Sequence, residues 1–235
     1  MPFHEVLRQN STFDPLDQPY LEAPRVRFAV RQHPSSPLSG DFFDVVDQGN
    51  GKVLALIADV SGNGPTAAAL GERVRCEVHR RAVSGSSPSV LLGRANGWLE
   101  RQGLFDRFVC STALRVDCLR RETVVATAGH FLPLLKVGPG QAVILDGPAG
   151  PPLGVLADQT FPATTLRLSL GDTLVLVTDG ISDALARPSD PLGERGLTDL
   201  VAGGPADLDG LCQAVFDATS ASVGVDAMVL ALQLA

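Results

Sequence analysis

The chain has 235 residues, 45% of them hydrophobic and 19% charged, with a formal net charge of −7. That length supports one sizeable core, and the acidic balance argues against nucleic acid as the main partner, because phosphate backbones are held by clustered Lys and Arg. The Arg-rich stretches 73–81 and 115–121 are interrupted or flanked by Glu77, Asp117 and Glu122 and read as solvated faces.

In chain order, residues 1–25 carry Pro2, Pro15, Pro19 and Pro24 with little periodicity, which predicts an extended arm or linker ahead of one domain over 26–235. The opening MPFHEVLRQN lacks the charged and apolar regions of a signal peptide, and no run of about 18 apolar residues follows, so no membrane span is predicted. VRFAV (26–30), FFDVV (42–46) and Lys52 to Asp59 are predicted strands, the last apolar enough to be buried on both faces, and Asn50-Gly51 is a tight hairpin signal. Two helices follow: Leu70, Val74 and Val78 recur at helical spacing, as do Leu91, Ala95 and Trp98, with Ser87 a cap and Pro88 at the first helical position of the second. Trp98 reads as core. The period then shortens to that of strands at 109–116, 123–128, 132–137 and 142–145, the pattern of an antiparallel meander. Strands at 173–178 and 228–232, with a helix over 208–221 between them, complete the chain. Cys76, Cys110, Cys118 and Cys212 have no C-x-x-C spacing, which predicts reduced, mostly buried thiols in a cytoplasmic protein.

One motif admits two readings. In ADVSGNGPTA (58–67), Gly62, Gly64 and Ala67 satisfy the G-x-G-x-x-G/A spacing by which dinucleotide-binding folds cradle a pyrophosphate. That fold needs a second parallel strand after its first helix, with an acid at its end. Here a second helix follows, no acid lies between Glu77 and Glu100, and Asp59 would repel an anion. The match is read as accidental.

Asp59 instead belongs to a dispersed set. Asp179-Gly180 ends one predicted strand, Asp226 opens the last, and SGDFFD (39–44) opens an early strand with Asp41 and carries Asp44 three residues on. Singly, each is an ordinary turn residue. If the strand ends converge, the carboxylates repel one another and raise one another's pKa unless cations neutralise them. Hard oxygen donors with no His or Cys framework point to Mg²⁺ or Mn²⁺.

SGDFFD (39–44), ADVSGNG (58–64), AGHFLPLL (128–135), PLGV (152–155), LGDTL (170–174), TDGISDA (178–184) and DAMV (226–229) occur in the order found in SpoIIE/RsbU-type phosphatases, the bacterial branch of the metal-dependent PPM (protein phosphatase 2C-like) serine/threonine phosphatases. The resemblance runs from Val26 to Leu234. It implies an α+β fold, a four-layer αββα sandwich of two antiparallel sheets flanked by helices. It also implies a centre of two Mn²⁺ or Mg²⁺ ions that activate a shared water for in-line attack on phosphorus. Carried over, Asp59 would bridge both ions with the Val60 carbonyl as a further ligand, and Asp179 and Asp226 would hold one ion. Asp41 would bind directly or orient a water, and Asp44 and Gly180 are second candidates for the same ions. The last motif reads DAMV where the family usually has D-D/N-I/M-T, and Asn63 stands where many relatives have His or Lys. The register through Asp226 keeps Met228 on the family's apolar position.

His130 in AGH reads as a turn histidine rather than a general acid, and Arg31 as an exposed edge residue rather than a phosphate contact. The implied substrate is a phosphorylated partner protein, commonly a STAS-domain anti-sigma factor antagonist, with a homodimer or an upstream regulator as further contacts. The chain resembles the short feedback-type phosphatases or an excised catalytic domain. The alternative from another class is a PPM-fold binding module of weak or no activity in the same regulatory pathway.

Overall fold

A computed structural model describes residues 25–33, 39–103, 106–186, 189, 193–219 and 226–235. The predicted arm over 1–25 lies outside them except for Arg25. The strands are β1 (Val26–His33), β2 (Phe42–Gly49), β3 (Lys52–Val60), β4 (Val109–Asp117), β5 (Glu122–Ala128), β6 (Leu134–Lys136), β7 (Ala142–Ile144), β8 (Ala163–Arg167), β9 (Thr173–Val177) and β10 (Ala227–Leu234). The helices are α1 (Gly64–Val83), α2 (Pro88–Glu100), α3 (Asp179–Leu185), α4 (Glu194–Gly203) and α5 (Leu208–Thr219).

Two five-stranded sheets form, in the orders β2-β3-β4-β5-β8 and β1-β10-β9-β6-β7, and the strand pairs within them are antiparallel. The sheet orders correct the predicted meander. β4 and β5 pair in the first sheet and β6 and β7 in the second, so the chain crosses between sheets after Ala128. The break falls at Gly129, whose φ of +63° and contact with Pro152, 2.4 Å from where a Cβ would sit, demand glycine. At the β2–β3 hairpin Asn50 and Gly51 both take positive φ, 54° and 70°, the backbone of a type I′ turn.

Apolar residues fill three successive layers. Leu54, Leu56, Ala58 and Val60 of β3 pack with Leu70, Val74 and Val78 of α1 and Leu91, Leu92 and Ala95 of α2. Val53, Ala55 and Ile57, the alternate residues of β3, pack with Leu174 and Leu176 of β9 and Met228, Leu230 and Leu232 of β10, which makes the layer between the sheets. Val175 and Val177 of β9 and Val229 and Ala231 of β10 turn the other way, onto Ile181, Leu197, Val201, Leu211 and Val215 of α3 to α5. The central strands β3, β9 and β10 are buried on both faces, which is why each reads as a near-continuous apolar run. Trp98 sits half-buried at the rim of the first layer, with the Arg73 guanidinium 5.5 Å from its ring centroid, rather than in the core. Cys118 and Cys212 are buried free thiols, Cys110 is half-buried, and Cys76 is exposed. Among the described residues no helix is long and apolar enough to cross a membrane.

Candidate metal centre

The alternation that builds the inter-sheet layer also aims the acids. Asp59 follows Ile57 on β3, Thr178 follows Leu176 past β9, and Asp226 and Asp41 share the parity of Met228 and Phe43 in the strands they precede. All four positions fall at one end of the sandwich, two from each sheet. Asp179, next after Thr178, is the first residue of α3, so the acid stands at a helix N-terminus. Asp44 has the parity of Phe42 and Val46 and faces α1 instead. There its Oδ2 lies 2.8 Å from His79 Nδ1, so the structure does not bring it to the other acids.

Glycines allow the loops to approach. A Cβ on Gly40 would lie 3.1 Å from both the Val60 carbonyl oxygen and the Val60 Cβ, and one on Gly71 of α1 would lie 2.9 Å from the Gly40 carbonyl oxygen. The SGD segment is thus pressed between the end of β3 and α1, which sets Asp41 beside Asp59. Two features of the turn after Val60 escape the sequence. Arg107 donates from Nη1 to the Ser61 carbonyl (2.8 Å), and Ser61 exchanges hydrogen bonds with Phe108, its N–H donating to the carbonyl (3.0 Å) and its Oγ accepting from the N–H (2.9 Å). Neither partner belongs to a recognisable motif, so only the register of β3 against β4 reveals them. That antiparallel register also rules out a dinucleotide cradle, because β3 has no parallel neighbour.

The carboxylates sense one another. Burial first, and then the charge of Asp59, push the Asp41 carboxyl up to about 9; the nearby Thr178 hydroxyl works in the opposite direction. Burial with the charges of Asp59, Asp183 and Asp226 pushes Asp179 up to about 6, and burial with Asp226 raises Asp59. Asp41 is 6% exposed, and its Oδ2 is buried with no hydrogen-bond partner. Cys110, opposite Asp59 on β4, has its thiol pushed up to about 12 by burial and by Asp59 and Asp179, so it is a protonated thiol and not a nucleophile.

A divalent cation fits this donor set of hard oxygens: four carboxylates, one of them with an orphaned buried oxygen, and the adjacent Val60 backbone. The acids face one another without being closed onto a point. Among the described residues no group of three or more His, Cys, Asp or Glu is already set as a metal cage. Beside Asp41 a cleft of about 320 Å³ opens between β1 and β2, the edge strands of the two sheets, with Phe28, Val30, Phe43 and Val45 along it and Glu72 and Arg75 of α1 at its rim.

The remaining candidates lie apart. His130 holds Thr112 Oγ1 and the Phe131 carbonyl near Nδ1, both at 3.2 Å, and burial pushes it down to about 4, so it is neutral at pH 7 and suited to a structural role. Arg31 sits on the opposite face of its sheet, donating from Nε to Gln213 (3.2 Å) and pairing with Asp209 (3.2 Å) of α5.

Two stacked antiparallel sheets between helix layers, with an all-carboxylate cluster at one end, define the PPM phosphatase architecture. The family model described as stage II sporulation protein E (SpoIIE) matches residues 49–234, and the chain belongs to that family. Asp59, Asp179 and Asp226 fall within the matched span and Asp41 just before it. The phosphoserine phosphatase RsbP of Bacillus subtilis is 27% identical over 156 residues, 65% of this chain and 38% of that protein, so the chain spans well under half the length of this relative. The structure of the RsbU and RsbW domains of Rv1364c from Mycobacterium tuberculosis superposes with a TM-score of 0.78 at 24% identity, over 90% of this chain and 60% of that one. The catalytic domain of the serine/threonine protein phosphatase PstP in complex with two manganese ions superposes with a TM-score of 0.65 at 13% identity, over 90% of this chain and 99% of that one.

Proposed function

We propose that the chain is a divalent-metal-dependent phosphatase that hydrolyses phosphoserine or phosphothreonine on a partner protein. The observation that carries this reading is the convergence of Asp41, Asp59, Asp179 and Asp226 from both sheets, with Asp41, Asp59 and Asp179 all raised and one oxygen of Asp41 left without a partner. Asp59 and the Val60 carbonyl would hold two Mn²⁺ or Mg²⁺ ions between them, Asp179 and Asp226 would complete one ion's shell, and Asp41 would bind directly or orient a water. Bound ions supply Lewis acidity that activates a water and neutralises phosphoryl charge. The protein's own contribution is to hold the acids at a partly buried end of the sandwich and to leave a cleft of mixed apolar and charged lining beside Asp41 where a polypeptide would lie.

The likeness to RsbP and to RsbU and RsbW domains supports a STAS-domain anti-sigma factor antagonist as the substrate and control of a sigma factor as the output. A binding module without turnover is the second reading, favoured by Ala227 and Val229 in the last motif, where the family usually has an acid or amide and a Thr. Incubating the chain with a serine-phosphorylated STAS-domain protein separates the two. Release of phosphate with Mn²⁺, lost on chelation and in Asp179→Ala, is the expected result; stable binding of the phosphoprotein without release would establish the module.

A further inference from the structure

Asp226 immediately precedes β10, and one of its hydrogen bonds comes from the other sheet. Ser39, on the segment leading into β2, donates from Oγ to Asp226 Oδ2 at 2.6 Å, and the same oxygen accepts the Asp41 backbone N–H at 3.0 Å. The carbonyl of Asp41 accepts from Gln32 Nε2 of β1 at 3.1 Å, so the Asp41 peptide is held at both ends, each time through a link between the sheets. A hydroxyl has one proton to give, and Ser39 gives it to the carboxylate while taking one from the backbone, so the chain runs in one direction from Asp41 N–H through Ser39 Oγ to Asp226. On the second sheet the Thr178 hydroxyl accepts the Met228 N–H at 2.9 Å and fixes the start of β10 against the end of β9.

We infer that Ser39 is a positioning residue for the metal centre, fixing the distance and orientation of Asp226 relative to Asp41 across the gap between the two sheets. The inference rests on the metal-binding reading above. Groups that orient ligands in this way typically change metal affinity by about 10- to 100-fold when removed. A role in folding alone would instead lower the stability of the metal-free protein and leave affinity unchanged.

The test is calorimetric titration of Mn²⁺ into the metal-stripped full chain, with thermal unfolding of the same metal-free samples. Ser39→Ala should weaken Mn²⁺ binding about 10-fold or more with the metal-free melting temperature held, and Ser39→Thr, which keeps the hydroxyl, should recover most of the affinity. A wild-type isotherm for Ser39→Ala, or a loss of affinity that Ser39→Thr does not recover and that follows a fall in metal-free stability, would overturn the positioning role. Asp59→Ala serves as the control for the centre. If it too binds Mn²⁺ as the wild type does, the metal-binding reading falls and takes this proposal with it. If it loses binding while Ser39→Ala does not, only the role of Ser39 falls.

Discussion

Asp41 shows most directly how a single side chain is tuned by the fold. Its carboxyl stands at about 9 in the folded, metal-free chain against an ordinary value of 3.8, because it is buried beside Asp59 and Asp226. A raised folded value means that the native state holds the proton more tightly than the unfolded chain does. The associated stability is complete below about pH 4 and is lost as pH rises toward 9. Asp179, raised to about 6, adds a loss over the lower part of the same window. Asp41→Asn, which cannot ionise, should therefore become more stable relative to the wild type as pH rises from 5 to 8.5 in chelator. Urea denaturation at the two pH values checks this, and parallel profiles for the two proteins would contradict it. The same substitution should depress Mn²⁺-dependent turnover, because it removes charge that the cations need.

At the scale of elements, the helix-facing layer is tied to the site through a loop. Asn96 of α2, 1% exposed, accepts the Gly154 N–H at 2.7 Å and donates to the Leu156 carbonyl at 2.9 Å. Just before them Leu153 bridges to Val109 at the start of β4, next to the Arg107–Phe108 segment that braces Ser61. Asn96→Ala removes both hydrogen bonds to this half-buried loop and should cost about 0.5–1.5 kcal/mol for each in chemical denaturation. Elements of this kind were legible only in part. The strands buried on both faces and the long helices announce themselves by apolar run and period. β8 (ATTLR, alternately exposed at the sheet edge), seven-residue α3, and α4 with only Leu197 and Val201 buried carry too few apolar residues to stand out, and none was predicted. The meander failed for a related reason: period alone does not say which sheet a strand joins, and the crossover at Gly129 depends on packing against Pro152.

For the molecule as a whole, the positions of the acids at strand ends were more legible than the topology that assembles them. Strand-end acids, read as a set, pointed to Asp41, Asp59, Asp179 and Asp226; alternation across two stacked sheets aims Asp41, Asp59 and Asp226 at one end of the sandwich, and the start of α3 brings Asp179 there. Asp44 was drawn into the set by its place in SGDFFD, and the pleat sends it the other way, to His79. The roles of Ser39, Arg107 and the Thr178 hydroxyl were invisible because their partners lie far away in the sequence. The central claim is that these acids form a metal-dependent phosphatase site, and hydrolysis of an aryl phosphate by the metal-stripped chain, with and without Mn²⁺, tests it most directly. Wild-type turnover should depend on Mn²⁺ and fall about 100-fold or more in both Asp59→Ala and Asp179→Ala; equal, metal-independent rates in all three proteins would contradict it.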